Sequence, residues 1–157
     1  MSFKLYGIVE DRPLKSGGWE LLRSFAVGSD LLKGYSFELP GGRVALRGDD
    51  LLHIHAGYRC DGPSVPALVP GFIVDGDDDK LAVAAWVHDA CYDPCRRGLI
   101  EDWQAFRAKA DLLFHEIMVA KGVPRWRAKL AYWALRLRGS SAARPQPDVE
   151  QRVRVLP

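Results

Sequence analysis

LAVAAWVHDACYDP, residues 81–94, decides the architecture. Leu81, Ala82, Ala84, Ala85, Val87 and His88 open a helix, and Pro94, which restricts the residue before it, predicts a close near Asp93. Asp77, Asp78 and Asp79 suit the start of that helix, where carboxylates meet unpaired N–H groups and the positive end of the dipole. At helical spacing His88 and Tyr92 share a face, while Asp89 points about 100° around the axis from His88. One helix therefore presents an imidazole, a phenol and a carboxylate.

Downstream, Trp103, Phe106, Ala110, Leu113, Phe114 and Ile117 predict a second helix from about Glu101 to Ala120, ended by Gly122 and Pro124. A third is expected from Arg125 to Leu137, stopped by Gly139. Its stripe of Trp126, Leu130, Trp133, Ala134 and Leu137 reads either as a membrane-surface face or, as we expect, as core with the arginines outward. From Ser140 to Pro157 the chain turns polar and proline-containing, the composition of an extended arm, which leaves residues 1–139 as one domain. Upstream, strands are expected at Phe3–Val9, Trp19–Val27, Tyr35–Leu39, Val44–Leu46 and Leu51–His55, set off by Gly, Asp and Pro. Pro63, Pro66 and Pro70, with Gly62 and Gly71, predict a constrained connecting loop. The fold class is α+β: a small N-terminal antiparallel β region, then a core of about three helices.

The chain has 157 residues and 48% hydrophobic content, enough apolar material for one compact domain. Its formal charge of +2 gives no composition-level reason to expect nucleic-acid recognition. An acidic run (Asp75, Asp77, Asp78, Asp79) and a basic helix (Arg125, Arg127, Lys129, Arg136, Arg138) read as solvated faces. Cys60, Cys91 and Cys95 cannot all pair within one chain, so a reducing compartment is expected, and no secretory signal or membrane-spanning stretch is visible.

Asp111 sits at the edge of an apolar stripe, where an unpaired carboxylate is costly. His88 with Tyr92 would satisfy it; His115, four residues on, is the alternative partner. A structural tie between helices accounts for such a set as well as a catalytic site does. His88, Cys91 and Cys95, completed by Cys60, offer a competing zinc set, against which Pro94 argues by turning Cys95 away. His53 and His55 alternate along a strand, as a half-exposed strand allows.

The pairing of His88-Asp89-Ala90-Cys91-Tyr92 with Ala110-Asp111-Leu112-Leu113-Phe114 resembles the phospholipase A2 superfamily, and most closely its lean, disulfide-free, capsid-borne viral members. The resemblance implies an antiparallel helix pair in which His88 is the general base, Asp111 orients the imidazole and Tyr92 bonds to Asp111. It further implies that Asp89 ligates calcium, with Asp61 and carbonyls of the segment Tyr58–Ser64 completing the site and phospholipid as substrate. The secreted enzymes' Gly/Cys-rich calcium loop and disulfides are absent, and Ala110 stands where they place a bridged cysteine. A wider pattern, Asp61-Gly62-Pro63-Ser64-Val65-Pro66, Ala85 to Tyr92, Lys109 to Asp111, Gly122-Val123-Pro124 and Tyr132 to Arg136, is similar to a family of uncharacterised phage and prophage proteins. That similarity implies synthesis in a host cytoplasm, a place in the virion and other virion proteins as partners. A non-enzymatic tail, baseplate or connector component is the alternative it brings.

Overall fold

The computed structural model describes residues 3–60 and 79–146, and these form an α+β fold, as the two-part pattern predicts. The strands are β1 (Phe3–Tyr6), β2 (Asp11–Pro13), β3 (Trp19–Leu21), β4 (Phe25–Ser29), β5 (Phe37–Glu38), β6 (Val44–Arg47), β7 (Leu51–Ile54) and β8 (Arg59–Cys60). They build two antiparallel sheets, one of five strands in the order β1-β4-β7-β6-β5 and one of three in the order β2-β3-β8. The helices are α1 (Asp79–Arg96), α2 (Trp103–Ala120), α3 (Arg125–Arg138) and the short α4 (Ser140–Ala143).

The expected strand Trp19–Val27 divides between the two sheets. Leu21, wholly buried, donates to Tyr58 O and accepts from Gly57 N, while the exposed Leu22 begins the crossing to β4. The strand expected over Phe3–Val9 stops at Tyr6, because Gly7 takes φ 102° and a Cβ there would lie 3.2 Å from that of Phe25. Strand β2 was hidden by Pro13, which an edge strand tolerates because no neighbour needs its N–H. Strand β8 lies in the segment expected to serve as a calcium loop, so that segment begins as paired β structure. The Pro63, Pro66 and Pro70 loop, Asp61, and Asp75, Asp77 and Asp78 lie outside the described residues.

In β7 the side chains alternate: Leu52 and Ile54 are buried, and Leu51 and His53 are half-buried. Phe106 of α2 joins the larger sheet to the helices, its ring 4.7 Å from that of Tyr35 and 5.9 Å from that of Phe37. The smaller sheet is tied to α1 through Trp86, whose indole N–H donates to Asp11 at 2.7 Å.

From Val83 to Cys95 helix α1 is buried on nearly every side, which makes it the axis of the helical layer. It does not end before Pro94, as the sequence predicts. A proline in the last turn removes only the bond to the Ala90 carbonyl, and the helix runs on through Cys95 to Arg96. The stop is Gly98, at φ 70°: its N–H reaches Cys95 O and that of Leu99 reaches Pro94 O, the two bonds of a left-handed glycine cap. Helix α2 ends in the same way at Gly122, with Val123 N bonded to Met118 O.

Helix α3 turns the other way from expectation. Ala128, Ala131 and Leu135 face the core, and Trp126, Leu130, Trp133 and Leu137 face out. Small side chains let α3 lie close against its neighbours, where indoles would hold it off. Gly139 does not terminate the helical run by a left-handed turn; its φ is −74° and α4 follows directly. Ala143 of α4 is fully buried and Gln146 N donates to Arg96 O, so packed structure continues past Gly139.

Candidate active site

His88 and Tyr92 lie one turn apart on α1, facing Arg107 and Asp111, which lie one turn apart on α2. Contacts with Phe114, Asp111, Arg107 and Trp103 follow in that order along α1, so the two helices are antiparallel. His88 Nε2 is 2.9 Å from Asp111 Oδ1, and the Tyr92 hydroxyl donates to the same oxygen at 2.6 Å. The His88 and Tyr92 rings stack obliquely, 4.0 Å apart, and Phe114 closes the imidazole from its edge. His115 does not compete for Asp111; it packs against the Tyr132 ring on α3.

Sequence reading missed three residues of this cluster. Arg136, from the end of α3, donates to Asp111 Oδ2 at 2.9 Å. Arg107 donates to the Tyr92 hydroxyl at 3.3 Å and sends its Nη2 to the carbonyls of Leu135 and Arg136 at 2.8 and 2.9 Å. One guanidinium thus supports the site and adds a charged donor at the end of α3, where the Leu135 carbonyl also accepts from Gly139 N. Gly139 is the third: a Cβ there would lie 2.4 Å from the Tyr92 hydroxyl. The available signal was Arg107 four residues before Asp111, an arginine and a carboxylate on one helical face.

Asp111 is fully buried. Burial pushes its pKa up, but hydrogen bonds from His88, Tyr92 and Arg136 outweigh this and hold it below the usual carboxylate value. The Tyr92 hydroxyl is pushed up, first by burial and then by the neighbouring Asp111 charge, so it stays protonated and donates. An ionised Asp111 only accepts, which places the shared hydrogen on His88 Nε2. In the neutral ring Nδ1 is then the lone-pair nitrogen, and it has no hydrogen-bond partner among the described residues.

Asp89 is also buried, at 2% exposure, but on another side of α1, with Asp93 one turn beyond it. The Tyr58 hydroxyl donates to Asp93 at 3.0 Å, and its pKa is raised by burial first and then by the charges of Asp93 and Asp89. Asp89 thus lies near Tyr58, the residue before β8, and Asp61 falls outside the described residues. The oxygen chemistry of Asp89 suits a hard cation such as calcium, which takes six to eight oxygens, and of the two expected side-chain ligands it is the one among the described residues.

The zinc set does not assemble. Cys60, His88, Cys91 and Cys95 are all described, and no three His, Cys, Asp or Glu side chains among the described residues gather to hold a metal. The Cys95 thiol points back along α1 to Cys91 O at 3.4 Å. Burial pushes Cys95 up to about 12 and Cys91 further still, leaving neither as a thiolate. A water-soluble disulfide reagent is accordingly expected to leave Cys91 and Cys95 untouched in the native protein. Two additional equivalents should react only on unfolding, read by absorbance.

His53 bonds to Asp49 at 3.0 Å and stacks on His55, as half-buried residues of a strand. No helix of the described residues is long and apolar enough to cross a membrane.

Fold and site together define an α+β protein whose central helix pair encloses a histidine, a tyrosine and an arginine-braced aspartate. Residues 43–135 match the family described as protein of unknown function DUF1353, and the chain belongs to that family. The match spans β6 to most of α3 and contains His88, Asp89, Tyr92, Arg107 and Asp111. No curated protein and no solved structure matches the chain.

Proposed function

We propose that the protein is a hydrolase of phospholipid esters of the phospholipase A2 type, encoded by a phage and carried in its virion after synthesis in the host cytoplasm. The observation that carries the reading is the geometry at His88: Nε2 lies 2.9 Å from a braced carboxylate, and Nδ1 has no hydrogen-bond partner among the described residues. That is the arrangement of a general base with its orienting group. Nδ1 takes a proton from water as the water oxygen bonds to the ester carbonyl carbon. When the carbon–oxygen bond to the glycerol side breaks, the same proton passes to the departing oxygen, giving a fatty acid and a lysophospholipid. Asp111 fixes the ring through both protonation states, and Tyr92 and Arg136 fix Asp111. Calcium held by Asp89 and Asp61 would supply polarisation of the ester carbonyl.

A second reading, a non-enzymatic virion component such as a tail, baseplate or connector part, is favoured by one observation. His88 has no exposed surface and Asp111 is ringed by donors, as in a tie that holds helices together. One experiment separates the two readings. Fatty-acid release from phospholipid vesicles is measured across a calcium titration for the native chain and for His88→Ala. The hydrolase reading expects calcium-dependent release, with a loss of about a hundredfold or more in His88→Ala. Background release by the native chain at every calcium level defeats it and leaves the structural reading.

A further inference from the structure

Trp126, Leu130, Trp133 and Leu137 are 59%, 44%, 53% and 80% exposed, and they recur one or two turns apart along α3. At about 100° per residue they fall within a stripe roughly 60° wide, opposite the buried Ala128, Ala131 and Leu135. Arg125 and Lys129 flank the stripe on one side, and Arg127 and Arg138 on the other, while Arg136 is turned inward to Asp111. Residues 125–138 contain no acidic side chain. The Arg127 guanidinium lies over the Trp126 ring, 5.4 Å from its centre.

We propose that this face of α3 docks the protein on an anionic phospholipid surface. Its charge complements such a surface along the whole helix, from rows of cations on both sides. Between the rows stand the side chains that settle at a headgroup boundary: indoles, with an apolar body and a polar N–H, and leucines that reach deeper. Long arginine and lysine stems let the apolar stripe sink while their charges stay among the phosphates. The inference stands apart from the hydrolase reading, since it uses neither His88 nor Asp111, and α3 is not a member of the helix pair that reading rests on.

The test uses the full chain with vesicles of ether-linked phosphatidylcholine, with and without ether-linked phosphatidylglycerol, which an esterase cannot cleave. Co-sedimentation is expected with the anionic vesicles and not the zwitterionic ones, accompanied by a blue shift of tryptophan emission, both weakening as salt rises. Trp126→Ala with Trp133→Ala should abolish the shift and lower partitioning by about tenfold or more. Replacing Arg127, Lys129 and Arg138 with glutamine should lower it on the order of a hundredfold. These side chains are exposed, so thermal unfolding of both variants should match the native protein and exclude misfolding as the cause. Sedimentation that is equal for native and double-tryptophan chains overturns the proposal. So does the absence of binding at any anionic fraction, including the case where gel filtration shows the stripe already covered in a dimer that the tryptophan variant dissolves.

Discussion

Asp111→Asn is expected to destabilise the protein by about 3 kcal/mol, a fall of roughly 6–12 °C in melting temperature. The carboxylate is fully buried and receives His88, Tyr92 and Arg136, with Arg107 Nε 3.9 Å away. An amide of the same shape turns two hydrogens toward groups that also donate, and it removes the counter-charge of Arg107, whose side chain is only 6% exposed. The loss falls at the low end of the range for a broken buried pair because Arg136, 26% exposed, can turn toward water. The pH dependence has a definite sign. Asp111 lies below its unfolded value of 3.8, so its contribution is complete above that value and is lost as pH falls through the lower, folded one. The gap between native and variant chains, read by urea unfolding, should be constant from about pH 5 upward and should close in acid. A gap that does not narrow at all as pH falls below 3.8 would show that packing, and not the carboxylate's charge, is what the substitution removes.

Gly139→Ala should also destabilise, by about 2 kcal/mol, although alanine is the better helix former by up to about 1 kcal/mol. The backbone at Gly139 is ordinary right-handed helix, so conformational freedom is not what the site requires. The added carbon would lie 2.4 Å from the Tyr92 hydroxyl, 2.6 Å from Leu135 O and 3.3 Å from Arg107 Nη2. The carbonyl belongs to the backbone and the other two groups are held in the cluster, so overpacking outweighs propensity. Gly48→Ala is the control: nothing lies within 4 Å of its Cβ position, and a change within about 0.5 kcal/mol is expected. Equal unfolding midpoints for the two variants would mean that Tyr92 moves aside without cost.

The sequence disclosed the helix pair because its signals are local. His88 and Tyr92 share a turn of α1, and the stripe from Trp103 to Ile117 sets the face of α2 next to which Asp111 falls. Pairing across the helices followed from the cost of leaving Asp111 alone. What stayed hidden depends on distance along the chain. Arg136 is 25 residues from Asp111, and its pattern on α3 is that of a solvated cation. The orientation of α3 was misread for a related reason: hydrophobicity ranks Trp126 and Trp133 above Ala128 and Ala131, but close approach selects the smaller pair. In the β half, Trp19–Val27 reads as one strand because neither Gly nor Pro interrupts it, and only the partners at Tyr58 and Gly57 show where it leaves one sheet for the other.

The helix that carries His88 has almost no solvent-facing side, and this constrains how the protein can change over generations. In most proteins a polar cluster lies at the rim, where drift can retune it while the interior stays fixed. Here the cluster is the interior of the helical layer. Substitutions that alter its chemistry also alter the joint between α1, α2 and α3, so selection on folding alone would conserve these side chains.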